Sequence, residues 1–317
     1  MKAAIVEKFG ELPHYGEFDV PQPGDGQQRV WVKAAALSQL VRAQAAGRHY
    51  SSAQPPLVPG ADGVGVLDNG QRVYFAFPAP PFGSMAEQVV VDSGNIVALP
   101  DHLDDITAAA MANPAMSSWA ALVERLNFQP GQRVLVNGAN GASGRLAVQI
   151  ARHLGAAHIV ATARSRSAES ELKALGADTF ISLEHPHDEL SAAFQAVLAE
   201  GMDAVLDYVW GPSIEALLAA LPKARGRAAA PPVRIVNMGS LAGEQITLKA
   251  SMLRSADLQM MGSGLGSVSQ AGLLRSIAAA FAAAETAGLK IATQVFPLAE
   301  VAQAWRITGR ERVVLRP

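Results

Sequence analysis

Arg133-Val-Leu-Val-Asn-Gly138-Ala-Asn-Gly141-Ala-Ser-Gly144-Arg-Leu-Ala-Val-Gln-Ile-Ala-Arg-His-Leu-Gly155-Ala156 is the stretch on which the reading of this 317-residue chain turns. Val134, Leu135 and Val136 form a short apolar run that stops at a cluster of small residues. Leu146, Ile150 and Leu154 then recur every fourth residue, the spacing of one helix face. Strand, glycine turn and helix in this order make the first half of a mononucleotide-binding unit. The glycines have a physical purpose there. A pyrophosphate must approach bare backbone N–H groups at the positive end of a helix, and a Cβ in that place pushes it away. Gly138 is expected to make the tight turn, Gly141 to admit the phosphate and Gly144 to let helix and strand pack closely. The frame reads A-x-G-x-x-G, because Ala139 stands where the first glycine is usual.

Working outward, the first hundred residues lack helical periodicity and alternate β-prone runs with turns. The runs are Ala3–Val6, Arg29–Val32, Gly63–Leu67, Arg72–Phe77, Gln88–Val91 and Ile96–Leu99, with Pro23-Gly24, Pro59-Gly60 and Asn69-Gly70 between them. They predict a partly open β-barrel in which only Leu37–Ala46 is helical. A helix is expected from Asp104 or Ile106, and a second one over Ser117–Leu126. After the glycine stretch, strands at Ile159–Thr162, Thr179–Ile181, Asp203–Tyr208, Val233–Asn237 and Leu258–Gly262 alternate with helices at Ala168–Leu175, Asp188–Ala199 and Ile214–Leu221. Such alternation predicts a doubly wound parallel sheet. Lys223–Pro232 reads as a surface loop. A last helix carries Leu273, Ile277 and Phe281 and ends at Gly288, and Ile291–Leu315 returns to β character. The expected class is α/β, with a β domain over 1–116, a cofactor domain over 117–266 and a return to the first domain over 267–317.

The end of the second strand of a mononucleotide unit selects the cofactor. An acidic residue there binds the ribose hydroxyls of NAD. This chain has Ala163 in that place, followed by Arg164-Ser165-Arg166. No carboxylate repels a 2′-phosphate, and two guanidiniums and a hydroxyl can bind one, so the expected cofactor is NADP(H). Asn137, Gly138, Ala139, Asn140, Gly141, Ala142, Ser143 and Gly144 are the expected pyrophosphate cradle. Gly239-Ser240 and Gly262-Ser263 fall at later strand ends, the edge where cofactor binds in such sheets.

Composition narrows the partners. Half the residues are hydrophobic and 17% are charged, enough for an ordered core. A net charge of -2 gives no electrostatic case for nucleic acid or an anionic membrane surface. The chain has no cysteine, which excludes disulfides, thiolate metal sites and cysteine nucleophiles. The N-terminal apolar segment is too short for a signal peptide, and the longest apolar run, Ile277–Ala284, is too short to span a bilayer. A cytoplasmic location is the expectation. His185-Pro186-His187 reads as a solvated loop rather than a metal site.

Over nearly its whole length the chain resembles the medium-chain dehydrogenase/reductases, in their zinc-independent quinone oxidoreductase-like branch. The resemblance lies in Met1–Val6, Pro59-Gly-Ala-Asp-Gly-Val-Gly65, Gly83-Ser-Met-Ala-Glu87, Leu99-Pro-Asp101 and Pro130–Val136. It continues in Leu175-Gly-Ala-Asp178, Asp203-Ala-Val-Leu-Asp207 and Phe296-Pro-Leu-Ala-Glu-Val301. It implies a GroES-like substrate domain, a Rossmann domain binding NADPH, a homodimer, and hydride transfer to a small electron acceptor such as a quinone or enone. Zinc members of the superfamily use cysteines and a histidine; here Ala61 stands where that histidine is expected, so no zinc is implied.

The resemblance also implies the catalytic candidates. Tyr50, after Gly47-Arg48-His49, stands where the branch often places a tyrosine facing the nicotinamide; a phenol there can donate a hydrogen bond or stack on a flat substrate. Ser38 is a further candidate, for orienting substrate, although Ser38-Gln-Leu-Val41 replaces the branch's Asn-Pro-x-Asp. Ser117 falls where the family has a threonine near the nicotinamide ribose, and a helix cap is its alternative reading. Trp210, in the place of a glycine in Val-Gly-Gly, either narrows the cofactor cleft or packs. Phe75, Phe77 and Phe82 read as core. A short-chain reductase is excluded because no tyrosine has Lys four residues on. The rival from another class is a relative that binds NADPH without turnover.

Overall fold

The structure is a computed structural model and describes residues 1–225 and 231–317. The chain opens with an antiparallel pair, β1 (Lys2–Ile5) and β2 (His14–Glu17). In β3 (Gln27–Ala36), Val30, Val32 and Ala34 are buried while Trp31 and Lys33 face out, the two-residue period of a half-covered strand. A short helix, α1 (Gln39–Ala45), begins at Ser38, whose Oγ accepts from Val41 N at 3.0 Å. β4 (Asp62–Leu67), β5 (Arg72–Ala76), β6 (Gln88–Asp92) and β7 (Ile96–Ala98) follow.

α2 (Asp105–Trp119) runs straight through Pro114, where two helices were expected. Proline removes one backbone donor, and the hydroxyls of Ser117 and Ser118 turn back to bond Pro114 O at 2.9 and 3.1 Å. These serines lie inside a helix, not at a cap. The helix ends in wider turns, with Leu126 N on Ala121 O at 3.1 Å.

Strands and helices then alternate: β8 (Arg133–Asn137), α3 (Ala142–His153), β9 (His158–Ala163), α4 (Glu169–Ala174), β10 (Thr179–Ser182), α5 (His187–Ala199), β11 (Ala204–Asp207) and α6 (Gly211–Arg225). β12 (Val233–Asn237), α7 (Ala250–Ser255), β13 (Leu258–Gly262) and α8 (Gln270–Ala283) continue the series. α6 takes in Lys223, Ala224 and Arg225, so that part of the expected loop is helical; 226–230 lie outside the described residues. α8 stops at Ala283, before Gly288. The tail adds β14 (Thr293–Pro297), α9 (Val301–Ala304) and β15 (Arg312–Arg316).

Two compact units result. One comprises Met1–Asn113, Ile277–Glu285 and Lys290–Pro317; the other comprises Pro114–Ser276 and Thr286–Leu289. In the first, β14-β15-β3-β4-β5-β7 form one sheet, with β6 also paired to β3. The tail enters it through antiparallel pairing of Val314 with Ala36 and Leu315 with Ala35. Phe75 is fully buried in its core, and Phe82 stacks edge-on against Phe18 at 5.9 Å.

In the second unit β10-β9-β8-β11-β12-β13 form an entirely parallel sheet. Such a sheet needs cover on both faces, which is why β8 and β11 read as unbroken apolar runs. Leu190 and Phe194 of α5 and Leu217, Leu218 and Leu221 of α6 join Leu135, Val160 and Val205 in one core. Trp210 packs against that core. Among the described residues no helix is long and apolar enough to cross a membrane.

Candidate cofactor-binding site

The carboxyl ends of the parallel strands bring polar residues into one row. Asn137 lies opposite Asp207, Asp207 opposite Asn237, and Asn237 opposite Gly262. Asn137 Nδ2 donates to Asp207 Oδ1 at 2.8 Å and to Ser213 Oγ at 2.9 Å, and its Oδ1 accepts from Thr162 Oγ1 at 2.7 Å. Thr162 Oγ1 in turn accepts from Gly138 N at 3.0 Å, fixing the start of the glycine turn. Asp207 Oδ1 also accepts from Val209 N and Trp210 N at 3.0 and 3.1 Å. Those bonds hold Trp210 at a φ of 60°, unusual for a bulky residue. Burial pushes the Asp207 carboxyl up from its ordinary range, opposed by the bonds from Trp210 N, Asn137 and Val209 N. Its Oδ2 is buried with no hydrogen-bond partner.

This network carries the turn. Gly138 has a φ of +86°, and a Cβ on it would lie 2.5 Å from Val209 Cγ2. A Cβ on Gly144 would lie 2.4 Å from Gly138 O and 2.6 Å from Ala139 Cα, so only glycine lets α3 sit this close to β8. Gly141 differs: its Cβ would meet no atom within 4 Å. It starts α3 with no side chain capping the first turn, whose N–H groups are therefore left to a ligand or water. Arg145 clamps the turn from behind. Its Nε donates to Asn140 O at 3.1 Å, and its Nη2 to Asn140 Oδ1 at 2.8 Å and Glu171 Oε2 at 2.7 Å.

In front of the turn lies a cavity of about 470 Å³. Gly138, Asn140 and Gly141 supply backbone to it, and Ala163, Arg164 and Ser165 line it from the end of β9. Leu183, Val209, Leu241 and Ala242 add apolar wall. Leu183 N donates to Ala163 O at 2.8 Å, and Ser182 Oγ to Arg164 O at 2.9 Å, so the loops after β9 and β10 are fastened together. Arg164 and Arg166 are both exposed. Six of the residues read from sequence thus share one cavity with four that were not. Those four are ordinary apolar or small residues after strands, with no sequence signal beyond their place at strand ends.

The remaining candidates are scattered. Asn137, Ala139, Ala142, Ser143 and Gly144 belong to the turn and helix start behind the cavity lining. Ser118 Oγ lies 2.9 Å from Tyr208 Oη, next to Ser117. Burial pushes the Tyr208 phenol up to about 12, so it keeps its proton at neutral pH. Gly239 O accepts from Asn237 Nδ2 at 2.9 Å, Ser240 Oγ bonds Glu244 Oε1, and Ser263 N donates to Asn237 O at 2.9 Å. Gly262 O accepts from Arg125 Nε at 2.9 Å. In the first unit Ser38 is buried at the start of α1, whereas Tyr50 is 75% exposed with its ring 4.1 Å from that of His49. Partial burial pushes the His49 imidazole down from its usual range.

The cavity fits a dinucleotide phosphate by its bare backbone floor, its open space at Gly141 and its cationic rim. Among the described residues no group of three His, Cys, Asp or Glu side chains is arranged to hold a metal.

Comparison with known proteins identifies the family. The zinc-binding dehydrogenase family model matches residues 142–277. A probable NADPH-dependent quinone reductase of Emericella nidulans is 31% identical, the alignment covering 100% of both chains. Among solved structures, the quinone oxidoreductase of Thermus thermophilus, determined alone and with NADPH, is 28% identical at a TM-score of 0.82, covering 100% of each chain. An NAD-dependent alcohol dehydrogenase is 26% identical at a TM-score of 0.85, again over 100% of each. The chain belongs to the medium-chain dehydrogenase/reductase superfamily, in its quinone oxidoreductase-like branch.

Proposed function

We propose that this chain is an NADPH-dependent reductase that delivers hydride to a quinone, enone or similar electron-poor acceptor without zinc. One observation carries the reading: the cavity is floored by the Gly138–Gly141 backbone and rimmed by Arg164, with Ala163 where an NAD site has a carboxylate. The backbone N–H groups at the start of α3 would hold the pyrophosphate, and Arg164, Ser165 and Arg166 the 2′-phosphate. When bound, the nicotinamide supplies the hydride. The chain's own residues orient the cofactor and acceptor and supply hydrogen bonds. Tyr50 is assigned as donor to the acceptor oxygen, a role its exposed phenol leaves open to it. Ser38 keeps its hydroxyl proton for a second partner, since its Oγ accepts from Val41 N. Ser117, Gly239, Ser240, Gly262 and Ser263 complete the proposed contacts.

The unit built on β1–β7 and the tail is assigned as the GroES-like substrate domain, and the parallel-sheet unit as the NADP-binding domain. A homodimer formed through β13 is supported by that strand's place at the sheet edge, by α7, which buries no residue, and by Leu253, 52% exposed. Sedimentation at twice the chain mass is the expected result. The assigned compartment is the cytosol, to be checked by fractionation.

The central test is turnover of a panel of quinones, enones and simple carbonyls with NADPH and NADH, with and without a chelator. NADPH-specific turnover of quinones or enones, indifferent to the chelator, is expected. Arg164→Ala should weaken NADPH binding more than about tenfold while sparing NADH. Equal losses for both would refute the cofactor assignment. NADPH binding with no turnover across the panel would make the chain a cofactor-binding relative instead.

A further inference from the structure

We propose that His185 is a specificity-determining residue of the cofactor site, a proton acceptor that becomes cationic when a 2′-phosphate arrives. The inference rests on the NADPH reading above. His185 lies two residues beyond Leu183, which lines the cavity, on the loop that Ser182 and Leu183 fasten to the loop after β9. Its Nε2 is 3.2 Å from Arg166 Nη2, and its Nδ1 is 3.0 Å from Glu189 Oε2 at the start of α5. A guanidinium only donates. Nε2 is therefore the acceptor, and the ring proton sits on Nδ1, donated to Glu189.

A phosphate monoester changes the neighbour of Nε2. Charge-assisted bonds to phosphate oxygens are stronger than a bond to a neutral imidazole, so Arg166 turns to the phosphate. Nε2 then faces anionic oxygens while Nδ1–H remains on a carboxylate. Negative charge at both ends favours the imidazolium. The ring takes one proton from solvent and donates it from Nε2 to the phosphate. The other charged groups close in sequence are Arg164 beside Ser165 and Arg166, Glu184 on the same loop, and His187 and Asp188 at the start of α5. His187 stands 3.6 Å from Asp188 with most of its side chain in solvent.

NADH has no 2′-phosphate and should draw no such proton. The test is calorimetric binding of NADPH and NADH near pH 7 in phosphate-free buffers of different ionisation heat, which counts protons taken up. The wild-type protein should take up at least ~0.3 proton more with NADPH than His185→Gln does, and Glu189→Gln should fall between them. Neither should show this difference with NADH. His185→Gln should also lose ~3- to 10-fold in NADPH affinity near pH 6 and less near pH 8, with NADH affinity unchanged. Equal proton counts in wild type and His185→Gln overturn the inference, as does a matching loss of NADH affinity. If NADPH is preferred and Arg164→Ala removes that preference while the proton counts coincide, this inference fails and the cofactor reading stands. If the wild-type protein binds NADPH no better than NADH, both fall together.

Discussion

Gly141 and Gly144 stand three residues apart and do different physical work. A methyl on Gly144 would strike backbone on the preceding turn, Gly138 O at 2.4 Å and Ala139 Cα at 2.6 Å, and backbone there cannot rotate away. Gly144→Ala should therefore cost ~2–3 kcal/mol of stability, read as a shift in the urea midpoint with unchanged slope. A methyl on Gly141 meets nothing within 4 Å. Gly141→Ala should leave stability within ~0.5 kcal/mol, yet weaken both NADPH and NADH by about tenfold, because the methyl occupies the phosphate's approach. Loss of stability in both variants would contradict the division. Both roles were legible in the sequence, since spacing alone separates the three glycines. Leu183, Val209, Leu241 and Ala242 were not, because an apolar residue after a strand carries no mark of the cavity it lines.

At the scale of elements, the turn between β8 and α3 is held by neighbours far along the chain. Arg145, with 14% of its side chain exposed, ties Asn140 on the turn to Glu171 on α4. Arg145→Met should cost ~1 kcal/mol, a partly exposed pair being worth little. It should also weaken NADPH and NADH by similar factors of ~3–10, since the loosened turn serves the pyrophosphate common to both. Loss confined to NADPH would show that Arg145 acts at the 2′-phosphate instead. α2 illustrates why element boundaries were harder to read than element existence. Pro114 stands between the two stretches read as separate helices, and proline is disfavoured in a helix interior. Its neighbours continue the helix, and the hydroxyls of Ser117 and Ser118 bond to Pro114 O. β2 and α7 went unread for a simpler reason: β2 has no buried residue and α7 none either, so neither shows a hydrophobic period.

At the scale of the whole molecule, stability should carry a pH signature set in the β unit. Asp62, at the start of β4, accepts from Tyr74 Oη at 3.1 Å in a buried site. Burial pushes its carboxyl up to about 6, against the pull of the Arg312 charge and the Tyr74 bond. The folded chain then holds a proton that the unfolded chain releases near pH 4, so stability falls as pH rises from about 4 to 6 and levels off above. The span is ~3 kcal/mol for a shift of this size. Asp62→Asn should flatten that slope, measured as denaturant midpoints between about pH 4 and 7. An unchanged slope would place the titration elsewhere.

The sequence by itself determined the α/β class, the parallel sheet, the glycine turn and the cationic place after β9. These follow from local periodicity and from residues that only one backbone geometry accommodates. Tertiary structure alone decided which apolar side chains wall the cavity, that Asn137 meets Asp207, and that His185 meets Arg166. Such contacts join residues 19 to 70 positions apart. Local pattern reports which face a residue presents, but the partner across that face is chosen by how strands and loops pack.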